Sequence, residues 1–303
     1  MNYARRIAGL SLALLALPLL AACPLTPDQR VKQALDFAFL EVRNVTVDLS
    51  GIPLSAVPQD LFERDCGKVT KVVMNGCGLT SLPIDFFARF PELRELSLVD
   101  NAIEELPDGI DLCPRLHTLY LEGNRLRSLP DDLGKLRELR LLLLANNSLS
   151  SIVDLSPLAP TLESLDLSGN PLGTTLGSLP EFDALLNLNL ARTGLASFDA
   201  RIVARSPLLE LDLSGNGLAE APDLPFAGLR FLRLADNSLA SFPDTSKCGS
   251  LVELDLSRNP LADVDASRLP ESLETLIVTG SPASSKIAER LSTLRPELKV
   301  VTE

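Results

Sequence analysis

The sequence predicts an α/β fold of one kind: a curved, horseshoe-shaped solenoid. A parallel β-sheet should line its concave face, and short helices or loops should cross its convex face. Three observations predict it. The phrase LESLDLSGNPL at residues 162–172 returns as LLELDLSGNGL from Leu208 and as LVELDLSRNPL from Leu251. The underlying pattern LxxLxLxxNxL recurs every 21 to 24 residues, starting at Val69, Leu93, Leu116, Leu139, Leu162, Leu185, Leu208, Leu229, Leu251 and Leu273. Finally, 46 % of the 303 residues are hydrophobic, yet there is no Trp and only two Tyr, so the core must be aliphatic. A unit this short cannot bury its apolar side alone and must stack on its neighbours.

The chain opens with the basic MNYARR, followed by 14 apolar residues, IAGLSLALLALPLL, and then LAAC ending at Cys23. The apolar run is short for a membrane span and suits the h-region of a signal peptide. Small residues before a cysteine resemble the lipobox of bacterial lipoproteins. That resemblance implies cleavage after residue 22 and fatty acylation (palmitate among the chains) of Cys23. It also implies the outer membrane, because Pro24 rather than Asp follows the cysteine. Several acyl chains on one residue hold a protein firmly where one would not. Residues 23–41 then form a short tether and a capping helix. In TPDQRVKQALDFAFLEV, Thr26 is the expected N-cap, Pro27 the first helical residue and Gln29 the partner in a capping box. Val31, Leu35, Ala38 and Phe39 make the apolar stripe.

Residues 42–295 hold eleven copies, the first of them irregular and expected to begin at Val42. The phrase and period are identified with leucine-rich repeats. In each copy the xLxL segment is a short strand whose alternate Leu residues point inward. The ninth position turns the chain and satisfies backbone groups that the strand leaves open. An Asn carboxamide both donates and accepts, so Asn101, Asn124, Asn147, Asn170, Asn216, Asn237 and Asn259 should form a buried ladder. Ser50, Cys77, Thr193 and Ser281 are expected at the other four places. The ladder should be weakest there, at its two ends and at Thr193. SSKIAERLSTL should be a C-terminal helix, and residues 296–303 a final edge strand and cap.

Side chains flanking the inward leucines face the concave side. Tyr120, Leu141 and Leu143 form an apolar and aromatic patch on neighbouring copies. Asp166, Glu210, Asp212, Glu253 and Asp255 gather around Arg233, which falls between Asp212 and Asp255 in its column. Either these charges satisfy one another as a solvated ladder, or they form an electronegative groove beside an apolar anchor, suited to a basic protein segment. Formal charge is −12, and −14 once Arg5 and Arg6 leave with the leader. Such an acidic surface repels phosphate backbones, so nucleic acid is not an expected partner.

Other motifs give way to the repeat. Residues 212–223, DLSGNGLAEAPD, imitate a calcium loop, but Asn216 belongs to the ladder and no helix flanks the segment. His117, the single histidine, has no second His and no Cys pair at ligand spacing, so no metal or cofactor is expected. There is no GxSxG and no phosphate-binding loop. The reading is a non-enzymatic, monomeric, lipid-anchored protein of the bacterial envelope that binds another protein. The alternative is a scaffold recognising glycan. An enzyme resembling the repeat-linked ubiquitin ligases is disfavoured, since only about 20 residues follow the last copy.

Cys66, Cys113 and Cys248 fall three residues before a copy begins, in the convex core, and Cys77 falls on the ladder. Cys66 and Cys113 are two copies apart, roughly 10 Å, beyond disulfide reach. All four should be buried thiols that behave as small hydrophobes. Thiol titration under non-reducing conditions should find these four unreactive in the folded protein and all reactive in denaturant. Absence of free thiols after denaturation would contradict the register.

Overall fold

Leucines at alternate positions cannot all face inward unless consecutive copies pair in parallel, and the computed structural model shows that pairing throughout. It describes residues 25–41, 43–176, 179–224 and 226–303; the leader and Cys23 lie outside them. Twelve strands form one sheet in sequence order. They are β1 (Val45–Asp48), β2 (Val69–Val73), β3 (Glu95–Ser97), β4 (Thr118–Tyr120), β5 (Leu141–Leu143), β6 (Ser164–Asp166), β7 (Asn187–Asn189), β8 (Glu210–Asp212), β9 (Phe231–Arg233), β10 (Glu253–Asp255), β11 (Thr275–Ile277) and β12 (Lys299–Val301). All are joined in parallel, and from β3 to β11 the central residue of every strand is buried. The fold is a leucine-rich-repeat solenoid, the α/β class read from the sequence.

The ladder is the inter-copy fastening. Asn147 donates from Nδ2 to Leu144 O (3.0 Å) in its own copy and to Leu121 O (2.9 Å) in the one before, while its Oδ1 accepts from Leu126 N (3.0 Å). Asn124, Asn170, Asn237 and Asn259 repeat the same three bonds. Asn101 and Asn216 make them too, with additional backbone donors on Oδ1. Where Asn is missing, bonds are missing. The Thr193 hydroxyl bonds Leu190 O in its own copy (2.8 Å) and Asn216 Oδ1 in the next (3.1 Å) but reaches nothing in the copy before, and Leu172 N turns instead to Asn170 O. Cys77 keeps a long contact from Sγ to Leu49 O (3.2 Å). The Ser281 hydroxyl is buried with no partner.

The first copy corrects the expected register. Val45 pairs with Val69, but a bulge follows, and Val47 pairs with Val72. The copy therefore runs two residues later than a start at Val42, itself outside the described residues. Ile52, buried, occupies the ladder place, whereas Ser50 is exposed and accepts from Asn75 N on its hydroxyl (3.3 Å). Thr46 and Asp48, not Asn44 and Thr46, then head the concave columns.

A second regularity sits at the eighth position, where every copy has a left-handed residue with φ between 53° and 71°. Its occupants run Gly51, Gly76, Asp100, Gly123, Asn146, Gly169, Arg192, Gly215, Asp236, Arg258 and Gly280. The alternation is steric as well as conformational. A Cβ on Gly123 would lie 2.3 Å from Asp100 Oδ1, and one on Gly169 2.5 Å from Asn146 Oδ1. Each side chain thus lies over the glycine of the next copy.

The ends are covered. Helix α1 (Pro27–Ala38) carries the capping box: Gln29 N donates to Thr26 Oγ1 (3.3 Å) and Thr26 N to Gln29 Oε1 (3.0 Å). Val31, Leu35 and Ala38 are buried and Phe39 half-buried. After a one-turn helix α2 (Gln59–Phe62), the convex side is crossed chiefly by 3₁₀ turns, with Phe62, Phe86, Phe87 and Phe90 clustered beneath them. Helix α3 (Ser284–Leu294) buries Ile287 and Leu291 and leads into β12. All four described cysteines are free and buried. Burial pushes the Cys113 thiol up to about 12 and the Cys248 thiol up to about 11, which removes them from thiolate chemistry.

Asn147→Ala removes three hydrogen bonds, leaving the buried Leu126 N without a partner and Leu121 O and Leu144 O with only the bonds from Asn124 and Asn170, and should cost about 2–3 kcal/mol in urea denaturation. Ser281→Ala, which deletes a hydroxyl that bonds nothing, should be neutral or slightly stabilising. Equal losses at the two sites would contradict the ladder's role.

Candidate functional site: the concave face

Third- and fifth-position side chains of each strand project from the concave side, and most are half-buried. Tyr120 pairs with Leu143 across β4 and β5, and Leu141 lies two residues before Leu143 on the same face. Burial, then the nearby carboxylates Glu95 and Glu122, raises the tyrosine hydroxyl's pKa. The patch expected from the sequence is therefore assembled. It is bordered by Ser97 on β3 and by Asp166 on β6.

The acidic residues divide by position. Fifth-position acids turn one oxygen back to their own backbone: Asp166 Oδ1 accepts from Ser168 N (2.8 Å), Asp212 Oδ1 from Ser214 N (2.9 Å) and Asp255 Oδ1 from Ser257 N (2.9 Å). Asp48 and Asn189 do the same with Ser50 N and Ala191 N. Asp in the recurring DLS is thus an end-of-strand cap. Asp166 also accepts from Asn189 Nδ2 (3.0 Å). Burial nevertheless raises its pKa, with Asp212 adding to the rise.

The third-position acids take the guanidinium. Arg233 is aligned with Asp212 and Asp255 along the sheet, but its ion contacts run to Glu210 (3.9 Å) and Glu253 (3.8 Å). Its place between the two aspartates is the one read from the sequence, and among the five acids around it the two glutamates make the ion contacts. The aspartates are already engaged by backbone, and Phe231 supports the guanidinium from below (6.0 Å to the ring centre). Both ion contacts are long, and Arg233 is 30 % exposed, so each pair is weakly bound. One cation among five carboxylates leaves most of their charge unneutralised.

Glu122, at the seventh position, escaped the sequence reading. Asn75, two copies earlier in that column, accepts from Ser97 Oγ and Val99 N (2.8 Å each). Glu122 sits between Val99 and Ala145, which offer no side-chain donor, and its Oε2 is buried with no partner. Burial, then Asp166 and Asp100, pushes its pKa up to about 7. The only available signal was an acid between two apolar residues in the seventh-position column.

His117 lies at the second position, half-buried, with Nδ1 2.8 Å from Thr118 Oγ1. It borders a cleft of about 380 Å³ with Arg137, Glu138, Arg140 and Glu163. Arg140 is paired there with Glu163 at 2.6 Å, and Arg137 donates to Pro157 O at 2.9 Å. Asn216 faces the ladder, so the calcium-like segment does not converge its oxygens.

A stacked parallel sheet with a broad, mixed apolar and acidic concave face defines a repeat scaffold of the protein-interaction type. Models described as "Leucine rich repeat" match residues 67–126, 114–172 and 247–269 of this chain. YopM from Yersinia enterocolitica is similar in structure, with 25 % identity, 91 % of this chain and 59 % of that one covered, and a TM-score of 0.59. The leucine-rich-repeat part of FLRT2, solved in an octameric complex with latrophilin 3 and Unc5D, is similar at 21 % identity over 86 % and 90 % of the two chains, TM-score 0.57. A chain of the LRIM1/APL1C complex is similar at 24 % identity over 83 % and 55 %, TM-score 0.58. Among curated proteins, an adenylate cyclase of Podospora anserina is 33 % identical over 87 residues, 29 % of this chain. The chain spans 4 % of that protein's length.

Between pH 4.5 and 7 the native protein keeps a proton on Glu122 that the unfolded chain releases, so stability falls as pH rises through that window. Glu122→Gln should therefore raise stability at pH 8 by on the order of 1–3 kcal/mol, and by much less at pH 5. Thermal melts at both pH values test this; equal gains would show that Glu122 is not held neutral.

Proposed function

We propose that this protein is a non-enzymatic, lipid-anchored interaction protein of the bacterial cell envelope, placed at the outer membrane by acylated Cys23. A partner protein docks on its concave face. Tyr120, Leu141 and Leu143 receive an apolar side chain, and a basic segment runs along Asp166, Glu210, Asp212, Glu253 and Asp255. The observation that carries this reading is the unneutralised charge on β6 to β10 next to an apolar patch on β4 and β5. Apolar anchors supply most interface energy, and an adjoining field of one sign steers and selects the partner. Two structural neighbours, in the FLRT2 and LRIM1/APL1C assemblies, were themselves solved in protein complexes.

The test must remove charge without removing strand caps. Asp212→Asn and Asp255→Asn keep an oxygen for the Ser214 and Ser257 amides, and Glu210→Gln and Glu253→Gln need no such provision. The full-length protein and this fourfold variant, matched for thermal stability, are used to capture partners from envelope extract. A protein retained by the wild type, released by salt and lost by the variant is the expected result. Equal recovery by both overturns the acidic groove. Capture that survives protease treatment of the extract favours the glycan reading.

A further inference from the structure

Helix α1 closes the first copy with one side, and its other side carries apolar residues in the open. Leu25 is 49 % exposed, Phe37 63 % and Leu40 75 %. Only four other large hydrophobic side chains among the described residues are comparably exposed, and they are scattered over residues 84–294. Leu25 lies over Gln29, Lys32, Gln33 and Asp36, on the side turned away from the sheet. At the far end Leu40 N donates to Phe37 O (3.2 Å), which brings those two residues together. The 12-residue helix thus has an apolar group at each end, about 18 Å apart along its axis.

Charge sets this face apart. From Leu25 to Arg43 the cations Arg30, Lys32 and Arg43 balance Asp28, Asp36 and Glu41, whereas the whole chain carries −12. Asp36 is moreover held by Arg64 at 2.6 Å, and that guanidinium lies 5.9 Å from the Phe39 ring centre. The cap is therefore a patch of balanced charge on an acidic molecule, and an anionic surface does not repel it as it repels the acidic repeats. Cys23 lies two residues before Leu25, at most about 7 Å of extended chain.

We infer that the outward face of the N-terminal cap rests in the interfacial layer of the bilayer, with Leu25, Phe37 and Leu40 inserted among the headgroups. The inference rests on acylation of Cys23. Helices lying in that layer bury their apolar side chains just below the headgroups and keep polar ones in water. With the first copy against the membrane and successive strands about 4.8 Å apart, the solenoid stands away from the surface, and β6 to β10 lie roughly 25–45 Å above it.

The chain contains no Trp, so single indoles report position without background. Phe37→Trp, Leu40→Trp and, as control, Ile84→Trp (a side chain 88 % exposed) are made in the full-length acylated protein. Each is reconstituted into phosphatidylcholine–phosphatidylglycerol vesicles with and without brominated acyl chains, and flotation of wild type and Cys23→Ser is run in parallel. The expected result is flotation lost in Cys23→Ser, with about twofold quenching at positions 37 and 40 and none at 84. Wild type that floats while all three indoles stay unquenched leaves the anchor standing and overturns the cap contact. Wild type that fails to float overturns both. A blue-shifted Phe37→Trp emission without lipid, accompanied by dimers in sedimentation, assigns the face to a second copy and also overturns the inference.

Discussion

The solenoid depends on a single carboxamide in each of seven of its eleven copies. At the ninth position an Asn side chain receives an amide from the preceding copy and gives its two N–H groups to carbonyls in both copies. A chain that leaves a strand and turns sharply strands its polar backbone groups in an apolar interior. No other uncharged side chain of that size offers both a donor pair and an acceptor there. Stacking and turning are therefore one event. This explains why Thr193, whose hydroxyl does not reach the copy before it, marks a place where the preceding loop bonds differently.

That constraint also governs what the concave face can be. Once the inward leucines and the ninth position are fixed, the third, fifth and seventh positions remain to vary, and they are not equivalent. A fifth-position Asp is within reach of the amide two residues on, so Asp166, Asp212 and Asp255 serve the fold before they serve a partner. Glu210 and Glu253 have no such duty and lean on Arg233. The same formal charge thus has different availability according to its place in the copy, and the third column is the freer one for recognition.

Much of this was legible because the repeat imposes a register: the seven ladder asparagines, the four thiols and the Thr26–Gln29 capping box could be placed by counting. The first copy could not. Val42, Val45 and Val47 offer competing starts, and a bulge that leaves Thr70 of the next strand unopposed, between the Val45–Val69 and Thr46–Lys71 pairs, leaves no mark in the pattern. Within the candidate site, column membership was readable but side-chain direction was not. Arg233 has carboxylates beside it and diagonally before and after it, and only the capping bonds of the aspartates decide among them. Glu122 stayed hidden because its character comes from neighbours 23 residues away on either side.

The left-handed eighth position carries a consequence for how such a chain can lengthen. From Gly76 to Gly215 a side chain and a glycine take turns, each side chain occupying the space its successor's glycine leaves. In that stretch the unit of inheritance is two copies, not one: duplicating or deleting a single copy would set two side chains, or two gaps, face to face. Where the alternation lapses, at Asp236 and Arg258, the adjacent pair is oppositely charged and ion-paired, and Arg258 then lies over Gly280. At that junction an ion pair takes over the role that side-chain-over-glycine packing plays elsewhere, so its fit depends on charge where the other junctions depend on shape.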